Sequence, residues 1–248
     1  MQLLEPLREV GKLKHQTVEA APLDPEVVML RTWQARRLAR TYADLLAQPR
    51  YRPACLFFLD DIYAPRDFSQ RDHDMEQMYD FMRRFIPHAM LQPLTLTIKL
   101  YRLTQALDQR LLDVLVNQLE VTDTFTAPVY AEAYRRCDNE AERVRQIDLI
   151  YDIGKKLDEI VRSPLIAAML NVAKGPARGA GWTDLTDFLE HGYTAFKHMH
   201  GGEYFLTTVR QREMDILQRI YANDPNPFGF EIDARDDGQS LSQAAGPE

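Results

Sequence analysis

The sequence predicts an all-α fold, an irregular multi-helix bundle forming a single domain. Apolar residues recur at helical spacing along nearly all of it, no window shows sustained strand-like alternation closed by hairpin turns, and several strong helix-start signals divide it. The first is Asp24-Pro25-Glu26, which offers an N-cap carboxylate, a proline at the first helical position and an acid in the first turn. That helix is expected to run to about Gln48, with Val27, Val28, Ala35, Leu38, Tyr42 and Leu45 on its apolar stripe and Arg31 in the middle of it. An arginine on a core-facing stripe requires a partner.

A shorter helix, roughly Ala54 to Tyr63, should end at Ala64-Pro65, because proline restricts the residue before it. Ser69 with Asp72 three residues later resembles a capping box and opens a third helix to about Ile86, whose stripe of Met75, Met78 and Met82 reads as core packing. A long helix from about Gln92 to Leu119 follows, with Leu94, Ile98, Leu107, Leu111 and Leu115 on its buried side. Thr126-Ala127-Pro128 starts a short helix, Asn139-Glu140 caps one that reaches about Val161, and Ser163-Pro164 begins a short apolar one. The glycine-rich stretch from Lys174 to Gly181 reads as a loop or hinge. Beyond it the last two helices, about 184–200 and 203–222, should form a hairpin joined at Gly201-Gly202. The helical domain is thus expected over 1–230, with residues 231–248 a disordered acidic tail.

A chain of 248 residues with 45 % hydrophobic content can bury a sizeable core. Its formal charge of −7 is uneven, since Glu231, Asp233, Asp236, Asp237 and Glu248 against Arg235 place −4 of it in the last eighteen residues. The near-balanced body offers no concentrated basic surface for a phosphate backbone, so no nucleic-acid partner is expected. No apolar run approaches the roughly 20 residues needed to span a bilayer, so no membrane partner is expected either. The segment Met1 to Glu9 carries charge early and lacks the uninterrupted apolar core of a signal peptide. Two cysteines, Cys55 and Cys137, make no disulfide framework, and a reducing, cytoplasmic location is the simple reading.

The most informative segment is Cys55 to Asp74, which drives Asp60 and Asp61 through an apolar run and then adds Asp67, Asp72 and His73. Ionised groups so close to a core are either an ion-pair network, with Arg31, Arg66 and Arg71 as partners, or a site. Phe57-Phe-Leu-Asp-Asp-Ile-Tyr-Ala-Pro-Arg-Asp-Phe-Ser-Gln-Arg-Asp72 resembles the signature of an uncharacterised bacterial all-helical family, a domain of unknown function. Leu189 to Met199, with Phe205 and Arg212-Glu213, is similar to the C-terminal part of that family, so the resemblance covers most of residues 50 to 228. It implies a bacterial cytosolic protein and brings no activity with it.

Three metal readings stand beside the structural one. Phe57 to Tyr63 is similar to the aspartate-rich motif of helical isoprenoid synthases, whose acids hold magnesium, although here the next acid, Asp67, falls beyond Pro65. His73-Asp74 resembles the dipeptide of helical histidine-aspartate phosphohydrolases, which would require His15 and Asp148 or Asp152 as partners. His191 and His198 share a helix face and with Glu203 offer donors for a transition metal. No phosphate-cradling loop, nucleophile elbow or dinucleotide fingerprint is present. The preferred reading is a binding or interaction protein that holds a partner protein or a small ligand between helices. An exposed aromatic patch around Trp33, Phe57 or Trp182 would mark a protein partner. A metal-dependent hydrolase or transferase built on Asp60, Asp61, Asp67 and Asp72 is the enzymatic alternative, and an oligomeric scaffold the structural one. No cofactor is expected beyond a divalent metal on Asp60, Asp61, His191 or His198, and the oligomeric state is not legible.

Overall fold

Asp24 and Pro25 open helix α1 (Pro25–Thr41), the first element of a computed structural model that describes residues 16–18, 22–82 and 88–230. Proline there gives up an N–H that would have had no helical acceptor. The helix breaks at Tyr42 and resumes as the single turn α2 (Ala43–Leu46). Helix α3 (Arg52–Phe57) runs directly into a π-helical turn, Phe58–Ile62, closed by the Tyr63 N–H bonding to the Phe58 carbonyl at 3.0 Å. There follow α4 (Ser69–Met82), α5 (His88–Asp113) with a second π turn at Val114–Gln118, and α6 (Ala127–Cys137). The chain then forms α7 (Glu140–Ile160), α8 (Pro164–Gly179), α9 (Thr183–His198) and α10 (Glu203–Tyr221). Among the described residues there is no strand, and the fold is the all-α, single-domain bundle that the hydrophobic spacing predicts.

Helix starts fall where their signals place them, at Pro25, Ala127, Glu140 and Pro164. The glycine-rich stretch differs from its reading as a loop, because α8 continues through Lys174, Gly175 and Pro176 as far as Gly179. Gly175 allows this: a residue before proline is disfavoured in the helical region partly by its Cβ, which glycine lacks. The turn itself comes at Gly181, with φ of 98°, and the next at Gly201, with φ of 122°. Gly202 donates its N–H to Asp158 Oδ1 at 2.9 Å, which ties the start of α10 to α7. The expected end of α4 near Ile86 and the tail over 231–248 lie outside the described residues.

Helix α7 is the centre of the bundle, packed along α10 on one side and α5 on another, while α9 lies across α3, α4 and α8. Three apolar cores result. The first joins α1, the end of α5, α6 and α10, with the Trp33 ring stacked on Tyr130 at 3.9 Å and Phe125 and Phe228 at its edges. The second joins α2, α3, α9 and α10 around Leu45, Phe196, Met199 and Phe205. A third, smaller one holds Met75 of α4, Ala177 of α8, Trp182 and Leu185 of α9. Trp33, Phe57 and Trp182 are therefore core residues, 6 %, 7 % and 0 % exposed, and form no surface patch.

Candidate functional site

The π turn after α3 decides how the aspartate-rich segment faces. Its extra residue breaks the 100° step of an α-helix, so Leu59 and Asp61 turn inward while Asp60 and Ile62 face out. Asp61 Oδ1 accepts from Arg66 Nη2 at 3.2 Å, and His191 Nδ1 lies 3.3 Å from both carboxylate oxygens. Arg71 donates to the Asp61 carbonyl through Nη1 and to Asp72 Oδ1 through Nε and Nη2, at 2.8 and 2.7 Å. Its guanidinium sits between two rings, 4.1 Å from the Phe68 centroid and 4.6 Å from that of Phe188. Arg31 Nη1 donates to the Arg66 carbonyl at 2.9 Å, and Arg31 and Arg66 also lie over Phe68.

The corner thus brings together Asp61, Asp72, Arg31, Arg66, Arg71 and His191 from the residues singled out in the sequence, and adds Phe68 and Phe188. Asp67 accepts the Ser69 N–H at 2.8 Å, taking the capping role that the spacing gives to Ser69. His73 pairs with Gln77 one turn on, at 2.8 Å, and Asp148 pairs with Arg210 across α7 and α10. His198 Nε2 lies 3.1 Å from the Pro49 carbonyl, so the two histidines of α9 serve different neighbours. Burial, then the nearby Asp61, pushes the Asp60 carboxyl above its ordinary range. Among the described residues no group of three or more His, Cys, Asp or Glu is arranged to hold a metal ion.

A second site, which the sequence reading misses, is a cavity of about 110 Å³ at the seam between the first two cores. Its walls are mostly apolar, including Leu38, Phe58, Leu59, Ile150, Leu206 and Ile220, and the exposed Arg210 at its rim brings it to the surface. Two polar networks face into it. In one, Arg37 of α1 pairs with Glu213 of α10, and Tyr42 donates its hydroxyl to the same carboxylate oxygen at 2.7 Å. In the other, Gln34 Nε2 donates to Asp108 at 3.2 Å, Arg143 reaches Gln146 Oε1 at 3.3 Å and the Leu107 carbonyl at 3.2 Å, and Gln146 donates to Thr104 at 2.8 Å. The Arg143 guanidinium also lies 4.3 Å from the centroid of Tyr134.

Electrostatics at the cavity follow from burial. Tyr42, Tyr63 and Tyr130 are pushed well above the ordinary phenol range, and the Cys55 thiol up to about 12, so all are neutral hydrogen-bonding groups near pH 7. Burial also raises the Asp108 carboxyl, against the pull of Arg143 and the Gln34 hydrogen bond. Arg37 Nε, Arg143 Nε and Gln34 Oε1 are buried without a hydrogen-bond partner.

One signal for this site is present in the sequence. Leu30, Trp33, Gln34 and Arg37 stand at i, i+3, i+4 and i+7, a complete helical face, and these four are the buried residues of α1. The expected stripe through Val28, Ala35 and Arg31 is rotated away from it, because polar Gln34 and Arg37 argue against that face when burial is judged by hydropathy alone. Arg31 is only half-buried, and Arg37 is the core-facing arginine of this helix.

The chain belongs to the family described as a domain of unknown function, DUF8198, whose model matches residues 13–227. No curated protein and no solved structure matches it.

Proposed function

We propose that this member of a family without an assigned activity is a binding module that holds a small molecule in the cavity between α1, α5, α7 and α10. The observation that carries the reading is a void lined by two buried arginines, two glutamines and several tyrosines at the centre of the bundle. A chamber left unfilled between packed helices forgoes the contacts that would otherwise line it. Buried ion pairs add little in return, since apolar replacements are often neutral or stabilising. An apolar chamber with a few convergent polar groups is the usual form of a ligand site.

The carboxylates near α3 support this reading over a metal-dependent one, because Asp61 is held by Arg66 and Asp72 by Arg71. A cytoplasmic setting fits two free, buried cysteines. No helix among the described residues is long and apolar enough to cross a membrane. The test is a thermal-unfolding screen with small organic acids, amides and phenols, repeated on Val209→Phe, which fills the cavity from α10. Hits are expected to raise the wild-type unfolding temperature and to leave the filled variant unmoved. Hits that stabilise both proteins equally would place the ligand site elsewhere, and the same screen run with magnesium, manganese and zinc would then examine Asp60 and Asp61.

A further inference from the structure

Among the charged groups of the cavity, Arg143 is the least compensated. It is 3 % exposed, its hydrogen bonds go to two neutral oxygens, and its nearest carboxylate, Asp108, stands at 4.0 Å. Its Nε has no partner. Arg37, by contrast, is closely paired with Glu213, which Tyr42 also holds. The two charges of the looser pair are not equivalent. Asp108 keeps part of its hydration and the Gln34 hydrogen bond, its side chain being 24 % exposed against 4 % for Arg143, whereas a guanidinium stays charged at any pH a protein survives. The cavity thus holds a buried cation whose hydrogen bonds reach no carboxylate.

We propose that the ligand is a small monocarboxylic acid, its carboxylate seated on Arg143 and its short apolar body against the hydrophobic wall. This rests on the cavity being the binding site. A carboxylate matches the planar fork of arginine. One unit of negative charge is what the chamber accommodates, since Glu213 and Asp108 would repel a dianion such as a phosphate ester. A volume of about 110 Å³ limits the body to a few carbons or a single ring.

The experiment compares hexanoate and benzoate with their neutral isosteres, hexanamide and benzamide, by calorimetry on wild type, Arg143→Met and Asp108→Asn. On wild type the acids should bind on the order of tenfold or more tighter than the amides, the preference expected of a hydrogen bond between two charged groups. Arg143→Met should abolish that preference while still admitting the amides. Asp108→Asn should tighten acid binding, because it removes the competing carboxylate. This gain keeps the test decisive if Arg143→Met fails to fold. Amides that bind wild type as well as the acids do would overturn the proposal and leave the cavity reading standing. Acid affinity that is unchanged or weakened in Asp108→Asn would also overturn it. Absence of binding by all four probes would overturn the monocarboxylate proposal, the cavity reading being decided by the thermal-unfolding screen.

Discussion

Arg37 and Glu213 bridge α1 and α10 at the cavity wall, and Tyr42 hydrogen-bonds to the same carboxylate. Two charges this deep attract strongly, but each has given up its hydration, so the pair as a whole contributes far less than breaking it costs. Glu213→Ala is therefore expected to lower stability by about 3–5 kcal/mol, because it strands the Arg37 guanidinium and leaves the Tyr42 hydroxyl without its acceptor. The double change Arg37→Met with Glu213→Leu should recover most of that loss. Urea unfolding of both variants checks the expectation, and additive losses in the double variant would show that the two side chains do not act as a pair. The residue scale is also where the sequence was hardest to read. The sequence left Arg31, Arg66 and Arg71 all open as partners of Asp61, whose carboxylate pairs with Arg66. That Asp61 needs a cationic partner near the core was nonetheless legible, since an aspartate inside an apolar run demands one. Arg37 was not, because its partner lies 176 positions away and no local pattern links them.

At the scale of helices, several starts were legible, while ends and faces were not, for a physical reason. A proline or a capping acid acts within one turn, so Pro25, Pro128 and Pro164 mark their helices unaided. Which face is buried depends on neighbours from elsewhere, and the π turn at Phe58–Ile62 shifts the wheel by a residue in mid-segment. Close approach of two helices is likewise hidden until the pair is seen. A Cβ added at Gly154 of α7 would stand 2.3 Å from Leu206 Cδ2 on α10, so the leucine must move, and the space open to it is the cavity it lines. Gly154→Ala is expected to cost about 1–3 kcal/mol through this overpacking. It should also weaken whatever the cavity binds, because the displaced isobutyl group occupies ligand space. A variant as stable as wild type with unchanged binding would mean that α7 and α10 can separate without strain.

For the molecule as a whole, the three cores are unequal, and this sets where it should open first. The two larger cores share α10 and enclose the cavity between them, so they stand or fall together. The third is built on four buried residues, Met75, Ala177, Trp182 and Leu185, and α8 adds the exposed Val172 and two glycines with nothing within 4 Å of where a Cβ would lie. Local stability follows the apolar contacts a segment must break to expose its amides. Amide hydrogen exchange should therefore find α8 and the start of α9 opening at a free energy below that of global unfolding, with the amides of α1, α6 and α10 exchanging last. A ligand in the cavity binds the slow half, so it should slow exchange of α10 through the global route and leave the opening of α8 unchanged. Equal exchange free energies in α8 and α10 would instead make the bundle one cooperative unit, in which the small core borrows its stability from α9, the helix it shares with the second core.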